Sequence, residues 1–131
     1  MKKGGVLNHR LSEVIATMGH TDFLVLADAG LPVPKGVERI DLAVSAGIPA
    51  LLDVVRAVAG ELQVERLIVA TELTGRNPAL ADAIAGLFPG ATVDRVPHED
   101  FKALTTKARA VVRTGECTPY ANVILVSGVT F

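Results

Sequence analysis

The 131-residue sequence has no tryptophan, one tyrosine, four phenylalanines and one cysteine. With so few aromatic rings, the interior has to be built from Val, Leu, Ile and Ala. No aromatic and basic residues interleave in the way that marks a nucleic-acid surface. The lone Cys117 excludes an intrachain disulfide and fits a reducing, cytoplasmic setting. Neither sign of charge dominates: 13 basic and 14 acidic side chains give a formal charge of −1, with no block of like charge that would suggest an interaction tail. Although half of the residues are hydrophobic, no uncharged apolar run approaches the roughly 20 residues a membrane span needs. Met1-Lys2-Lys3 is followed by Gly4-Gly5 and an amphipathic pattern, which makes a poor signal peptide.

Several site types also lack support. Neither a Gly-x-Gly-x-x-Gly nor a Walker A pattern is present, so dinucleotide or nucleoside-triphosphate binding has no motif behind it. The three histidines lack metal-ligand spacing and no cysteine pair accompanies them, which argues against a catalytic metal. Ser12, Ser45 and Ser127 have no nucleophile-elbow context.

What is there is one domain's worth of chain, residues 1–131, long enough for a single core. Its aliphatic surplus has to be buried, and part of it is expected to be covered by further copies of the same chain. Leu7, Leu11, Val14, Ile15 and Met18 recur at helical spacing, which predicts a helix over 8–18 with Asn8 as cap and Gly19 as stop. Residues 23–27 read as a buried strand, and the Gly/Pro-rich stretch after them as a shaped loop. Residues 39–43 predict a short strand. The positions Leu51, Leu52, Val55, Val58, Ala59 and Leu62 give a second helical face, followed by a strand over 66–70. Asn77-Pro78 opens another helix, because Asn caps and Pro at the first helical position loses no needed donor. Pro89-Gly90 ends it. A strand over 91–96, a helix over 98–107 and strands over 108–113 and 123–126 complete the pattern. Helices alternating with short apolar strands predict an α/β layered fold, with a largely parallel central sheet flanked by helices.

Polar residues cluster at the predicted junctions. His20 follows a helix stop and precedes a strand, where an imidazole suits a general acid or base; a helix C-terminal histidine that merely complements the helix dipole is the plainer alternative. Asp28 ends the strand that His20 precedes. Ligands of open α/β sheets gather outside strand carboxyl ends, although an Asp bonding its own turn is equally common. His98 follows a strand and Pro97. Tyr120 and Asn122 bring a phenol and a carboxamide to one small volume after Pro119, a mix of directional donors and acceptors that a carbohydrate needs. Arg113 and Glu116 flank this loop and are read as a pair. Cys117 is read as a small packed residue rather than a nucleophile.

These residues carry a resemblance. Gly19-His20-Thr21-Asp22, Asp28-Ala29-Gly30-Leu31-Pro32-Val33-Pro34, His98-Glu99-Asp100-Phe101-Lys102, and Arg113-Thr114-Gly115-Glu116 through Thr118-Pro119-Tyr120-Ala121-Asn122 run in the order and spacing of the D-ribose pyranase family, ribose mutarotases related to the fucose mutarotases. The resemblance covers essentially the whole chain. It implies interconversion of β-D-ribopyranose and β-D-ribofuranose without a cofactor, in the cytoplasm. It further implies His20 as proton donor, with Asp28, His98, Tyr120, Ala121 (through its backbone), Asn122 and Lys102 lining the site for D-ribose. It also implies a ring-shaped homo-oligomer, commonly a decamer of two pentamers, with sites near subunit contacts. Another sugar such as fucose, or a non-catalytic sugar-binding role beside a transporter, remains open at this point. Cys117 sits in a slot that varies in the family and receives no role.

Overall fold

The computed structural model describes all 131 residues. Helix α1 (His9–Thr17) leads to β1 (Phe23–Ala27) and β2 (Glu38–Asp41), then α2 (Leu51–Ala59) and β3 (Val64–Ala70). Next come α3 (Thr71–Arg76), α4 (Pro78–Gly86), β4 (Thr92–Val96) and α5 (His98–Leu104); a short 3-10 turn (Thr105–Lys107) then precedes β5 (Ala108–Arg113) and β6 (Val123–Ser127). The strands form one sheet in the order β2-β5-β1-β6-β3-β4. Every neighbouring pair is parallel except those involving β6, which runs against both β1 and β3. The largely parallel α/β reading therefore holds, with its exception in the middle of the sheet.

The capping logic is visible in the bonds. The Asn8 side chain accepts from Leu11 N, and the Asn77 side chain from Leu80 N at the start of α4, each worth about 1 kcal/mol of helix stability. Strand β1 is buried on both faces, which explains its unbroken apolar sequence. Leu24 and Leu26 face the larger core, with Leu11, Val14 and Ile15 of α1, Val55 and Val58 of α2, and Ile84 of α4. Val25 and Ala27 face a smaller core on the other side, closed by Phe101 of α5.

The differences from the pattern have local causes. Helix α2 starts only at Leu51, because Ile48-Pro49 precedes it in a non-helical turn, and Leu62 reaches the core from beyond its end. Helix α3 follows β3 without an intervening loop, in a stretch whose polar sequence carries no apolar stripe beyond buried Leu73. The predicted helix over 98–107 tightens to 3-10 geometry after Leu104.

Candidate functional site

Because β6 is reversed, its start lies beside the carboxyl ends of β1 and β3: Val123 pairs with Leu26 and Val69. Asn122, just before it, is fully buried. Its Oδ1 accepts from Asp28 N at 2.8 Å, and its Nδ2 donates to Asp28 Oδ2 at 2.9 Å. The other carboxylate oxygen of Asp28 accepts from Gly30 N at 2.9 Å. Asp28 is thus fixed by its own turn and by a buried amide at once, and a carboxylate with lone pairs to spare still faces the loop.

Asn122 N also donates to Tyr120 O at 2.8 Å, closing a tight turn about Ala121. Ala121 itself is fully buried, and its N–H donates to Thr118 O at 3.3 Å. Tyr120 adopts φ 62°, a left-handed conformation that is uncommon for a bulky residue and is met chiefly at functional sites. Its ring meets His98 edge-on, centroids 5.0 Å apart, and the Arg76 guanidinium lies 5.1 Å from its centre.

His98 is held by its backbone: its N–H donates to both oxygens of Glu72, at 2.9 and 3.2 Å. The ring is stacked near Phe101, and its Nδ1 is buried without a hydrogen-bond partner. A buried ring nitrogen without a partner is costly to stability. Lys102, one turn along α5, is not drawn into the group; its ammonium pairs with Glu99 at 2.8 Å.

Beside Asp28, a groove of about 380 Å³ is lined by Gly30, Glu116, Cys117 and Thr118. Arg113 and Glu116 do not pair. Arg113 donates to Asp41 and to Ala29 O, while Glu116 accepts from Leu51 N at the start of α2 and from the Thr118 hydroxyl. Partial burial would push the Glu116 carboxyl up. The N–H groups of Leu51, Thr118 and Cys117 and the Thr118 hydroxyl outweigh it and hold the group below the usual carboxylate range. Cys117, read as a packed residue, is instead exposed at the groove's rim.

His20 lies elsewhere. It precedes β1, and Asp28 follows it, so an extended five-residue strand separates them by about 17 Å, at roughly 3.3 Å per residue. One subunit therefore does not bring His20 to Asp28. Half exposed, His20 donates through Nε2 to Glu65 Oε2 at 2.9 Å. It borders a groove of about 450 Å³ with Met18, Gln63, Ser127 and Phe131. Glu65, Glu72 and Arg76 are contacts that the sequence pattern does not announce: the first depends on how β3 pairs, the other two on the unheralded α3. No group of three or more His, Cys, Asp or Glu side chains is arranged to hold a metal ion, and no helix is long and apolar enough to cross a membrane.

The model of the RbsD / FucU transport protein family matches residues 1–130. The chain belongs to that family. It is 58% identical to the D-ribose pyranase of Symbiobacterium thermophilum and 54% identical to that of Laribacter hongkongensis, in each case over the full length of both chains. Among solved structures it is similar to Bacillus subtilis RbsD complexed with D-ribose, at 49% identity and a TM-score of 0.96, again with both chains fully covered.

Proposed function

We propose that this chain is a D-ribose pyranase, an intramolecular isomerase that interconverts β-D-ribopyranose and β-D-ribofuranose as a single domain over residues 1–131. The observation that carries this reading is the full-length similarity, at 49–58% identity, to D-ribose pyranases and to a ribose-bound relative. The loop cluster supports it chemically. In this reading Asp28 accepts sugar hydroxyls, the His98 ring stands beside it, and Tyr120, Asn122 and the Ala121 backbone complete a directional wall. Lys102 contributes at the rim when it leaves Glu99.

The reaction needs only proton transfers. The anomeric hydroxyl loses a proton as the ring oxygen gains one and the ring C–O bond breaks. The aldehyde carbon is then attacked by the 4-hydroxyl instead of the 5-hydroxyl; the attacking hydroxyl gives up its proton as the carbonyl π bond breaks and the carbonyl oxygen takes a proton up. His20 is the proton donor, and positioned acid–base groups contribute about 10²–10⁴-fold to such transfers. Holding the open chain with its 4-hydroxyl against the carbonyl carbon adds an orientational contribution. No cofactor enters these steps.

Since His20 and Asp28 lie at opposite ends of the internal strand β1, the working site is formed between copies, His20 of one subunit meeting the Asp28–Tyr120–Asn122 loops of the next. Exposed apolar side chains at both ends favour such a contact: Val129 and Phe131 near His20, Val44 and Ile48 near the Asp28 groove. A head-to-tail contact of this kind closes into a ring when its rotation permits, in keeping with a decamer of two pentamers working in the cytoplasm. Saturation-transfer NMR on D-ribose at neutral pH tests the activity: purified protein is expected to accelerate pyranose–furanose exchange. An unchanged rate despite ribose binding would select an accessory sugar-binding role instead, and acceleration confined to L-fucose would reassign the substrate.

A further inference from the structure

His20 stands on a built corner. Thr21, next to it, has φ 69°, a conformation a β-branched residue adopts only when its surroundings impose it. The imposing contacts are Thr21 N donating to Ser127 O at 2.8 Å and Ser127 N donating to Asp22 O at 2.9 Å. Asp22 in turn accepts from Gly19 N and pairs with Arg109. The loop is thereby clamped to the end of β6.

The same end of β6 carries an irregularity. Val64 pairs with Ser127, yet Arg66 pairs with Val126, so Glu65 is an extra residue on β3 with no partner opposite. A bulge of this kind turns one side chain out of the regular alternation, and bulges recur beside active sites for that reason. The backbone leaves room for it: a Cβ at Gly128 would lie 3.1 Å from Glu65 Cβ and 3.4 Å from its nitrogen. The side chain so displaced is the one whose Oε2 reaches His20 Nε2 at 2.9 Å. Stability does not account for the arrangement, because a pair whose side chains are 52% and 43% exposed contributes little to it.

We propose that Glu65 is a positioning residue for His20. Resting on the pyranase reading, the inference is that its carboxylate, an acceptor only, keeps the hydrogen of the neutral imidazole on Nε2. Nδ1 is then the nitrogen that takes up the second proton and, from the imidazolium, donates it to the sugar. The bulge sets the aim, and the clamped loop keeps the ring from swinging away.

The test uses the assembled protein and the variants Glu65→Gln, Glu65→Ala, His20→Ala and the Glu65→Ala/His20→Ala double. In saturation-transfer NMR at saturating ribose, Glu65→Ala is expected to lower kcat about 10–100-fold, the loss found when the carboxylate partner of a metal-bound histidine is removed. KM should stay within about threefold, since the sugar is gripped elsewhere. The double variant should be no slower than His20→Ala alone, because Glu65 acts only through His20. Nitrogen-15 spectra of the His20 ring should show the Nε2–H tautomer in the parent protein and a mixture in Glu65→Gln, whose amide can either accept or donate. Unchanged kcat in both Glu65 variants, additive losses in the double, or an Nδ1–H tautomer in the parent would overturn the proposal. If the parent itself leaves ribose exchange unaccelerated, the pyranase reading fails while the nitrogen spectra still decide Glu65's hold on His20. Should Glu65→Ala not assemble, the near-isosteric Glu65→Gln carries both measurements.

Discussion

The two ends of strand β1 are built on different plans. At the carboxyl end, Asp28, Asn122, Tyr120 and His98 are tied by contacts that pass from one to the next, and Asn122 is wholly buried. At the opposite end, His20 is half exposed and touches one partner, Glu65. The first is a receptacle, rigid and rich in directed polar groups. The second is a single reactive group on a braced support. A receptacle has to be preorganised, because loose walls forfeit orientation, whereas a proton donor that works on a neighbouring copy has to protrude. On the proposed reading, the contrast between burial and exposure follows the division of labour between holding the sugar and moving its proton.

That contrast is open to direct attack. The largest effect is expected from mixing variants. His20→Ala and Asp28→Ala proteins should each lose ribose exchange by about 10²-fold or more. Unfolded together and reassembled, they should regain about one quarter of the parent activity, since a random ring with head-to-tail contacts restores that share of intact sites. No recovery in demonstrably mixed rings would mean that each site is completed within one chain.

A smaller effect should come from Asn122→Leu. It removes both bonds to Asp28 and leaves Asp28 N–H without its buried acceptor, at about 1–3 kcal/mol of stability. Ribose affinity should fall alongside the midpoint of urea denaturation. A variant as stable as the parent would show that the amide serves the ligand alone.

The smallest effect concerns acid. Glu116 titrates below its ordinary range in the folded protein. The folded state therefore releases this proton more readily than the unfolded chain, and the linked stability is present above the ordinary carboxylate pKa. It is lost as pH falls through the lowered value. Glu116→Gln should flatten the acid limb of a stability–pH profile below about pH 4.5 and leave the neutral region's slope unaltered. An identical acid limb in the variant would remove Glu116 from the linkage.

Much of the fold is legible in the residues. Asn8 and Asn77-Pro78 mark helix starts through side-chain chemistry that acts within three residues, and β1 declares itself as an apolar run because both of its faces are covered. The gathering of Asp28, His98, Tyr120 and Asn122 is partly legible too, since all four sit near strand ends within three residues of a Gly or Pro. What local pattern does not carry is which end of the sheet a strand end belongs to once a strand is reversed. His20 and Asp28, eight positions apart, lie at the two ends of one strand, and the pattern does not say which subunit's loops each one faces. Glu65 is hidden for a related reason: its direction comes from a mismatch with β6, some sixty residues downstream, and an exposed Glu on a strand looks like any other. Glu72 and Arg76 lie on a helix too short and polar to show a periodic stripe.

Strand β6 begins at the sugar-holding loops and ends at the clamp under His20, and every one of its five residues is buried. It therefore works as a gauge block, fixing how far His20 stands from the Asp28 loops of its own chain and, on the proposed reading, the pitch at which successive subunits would mesh. Length changes should be tolerated in the outlying turns but not here, where one inserted residue would shift that spacing and put such a contact out of step.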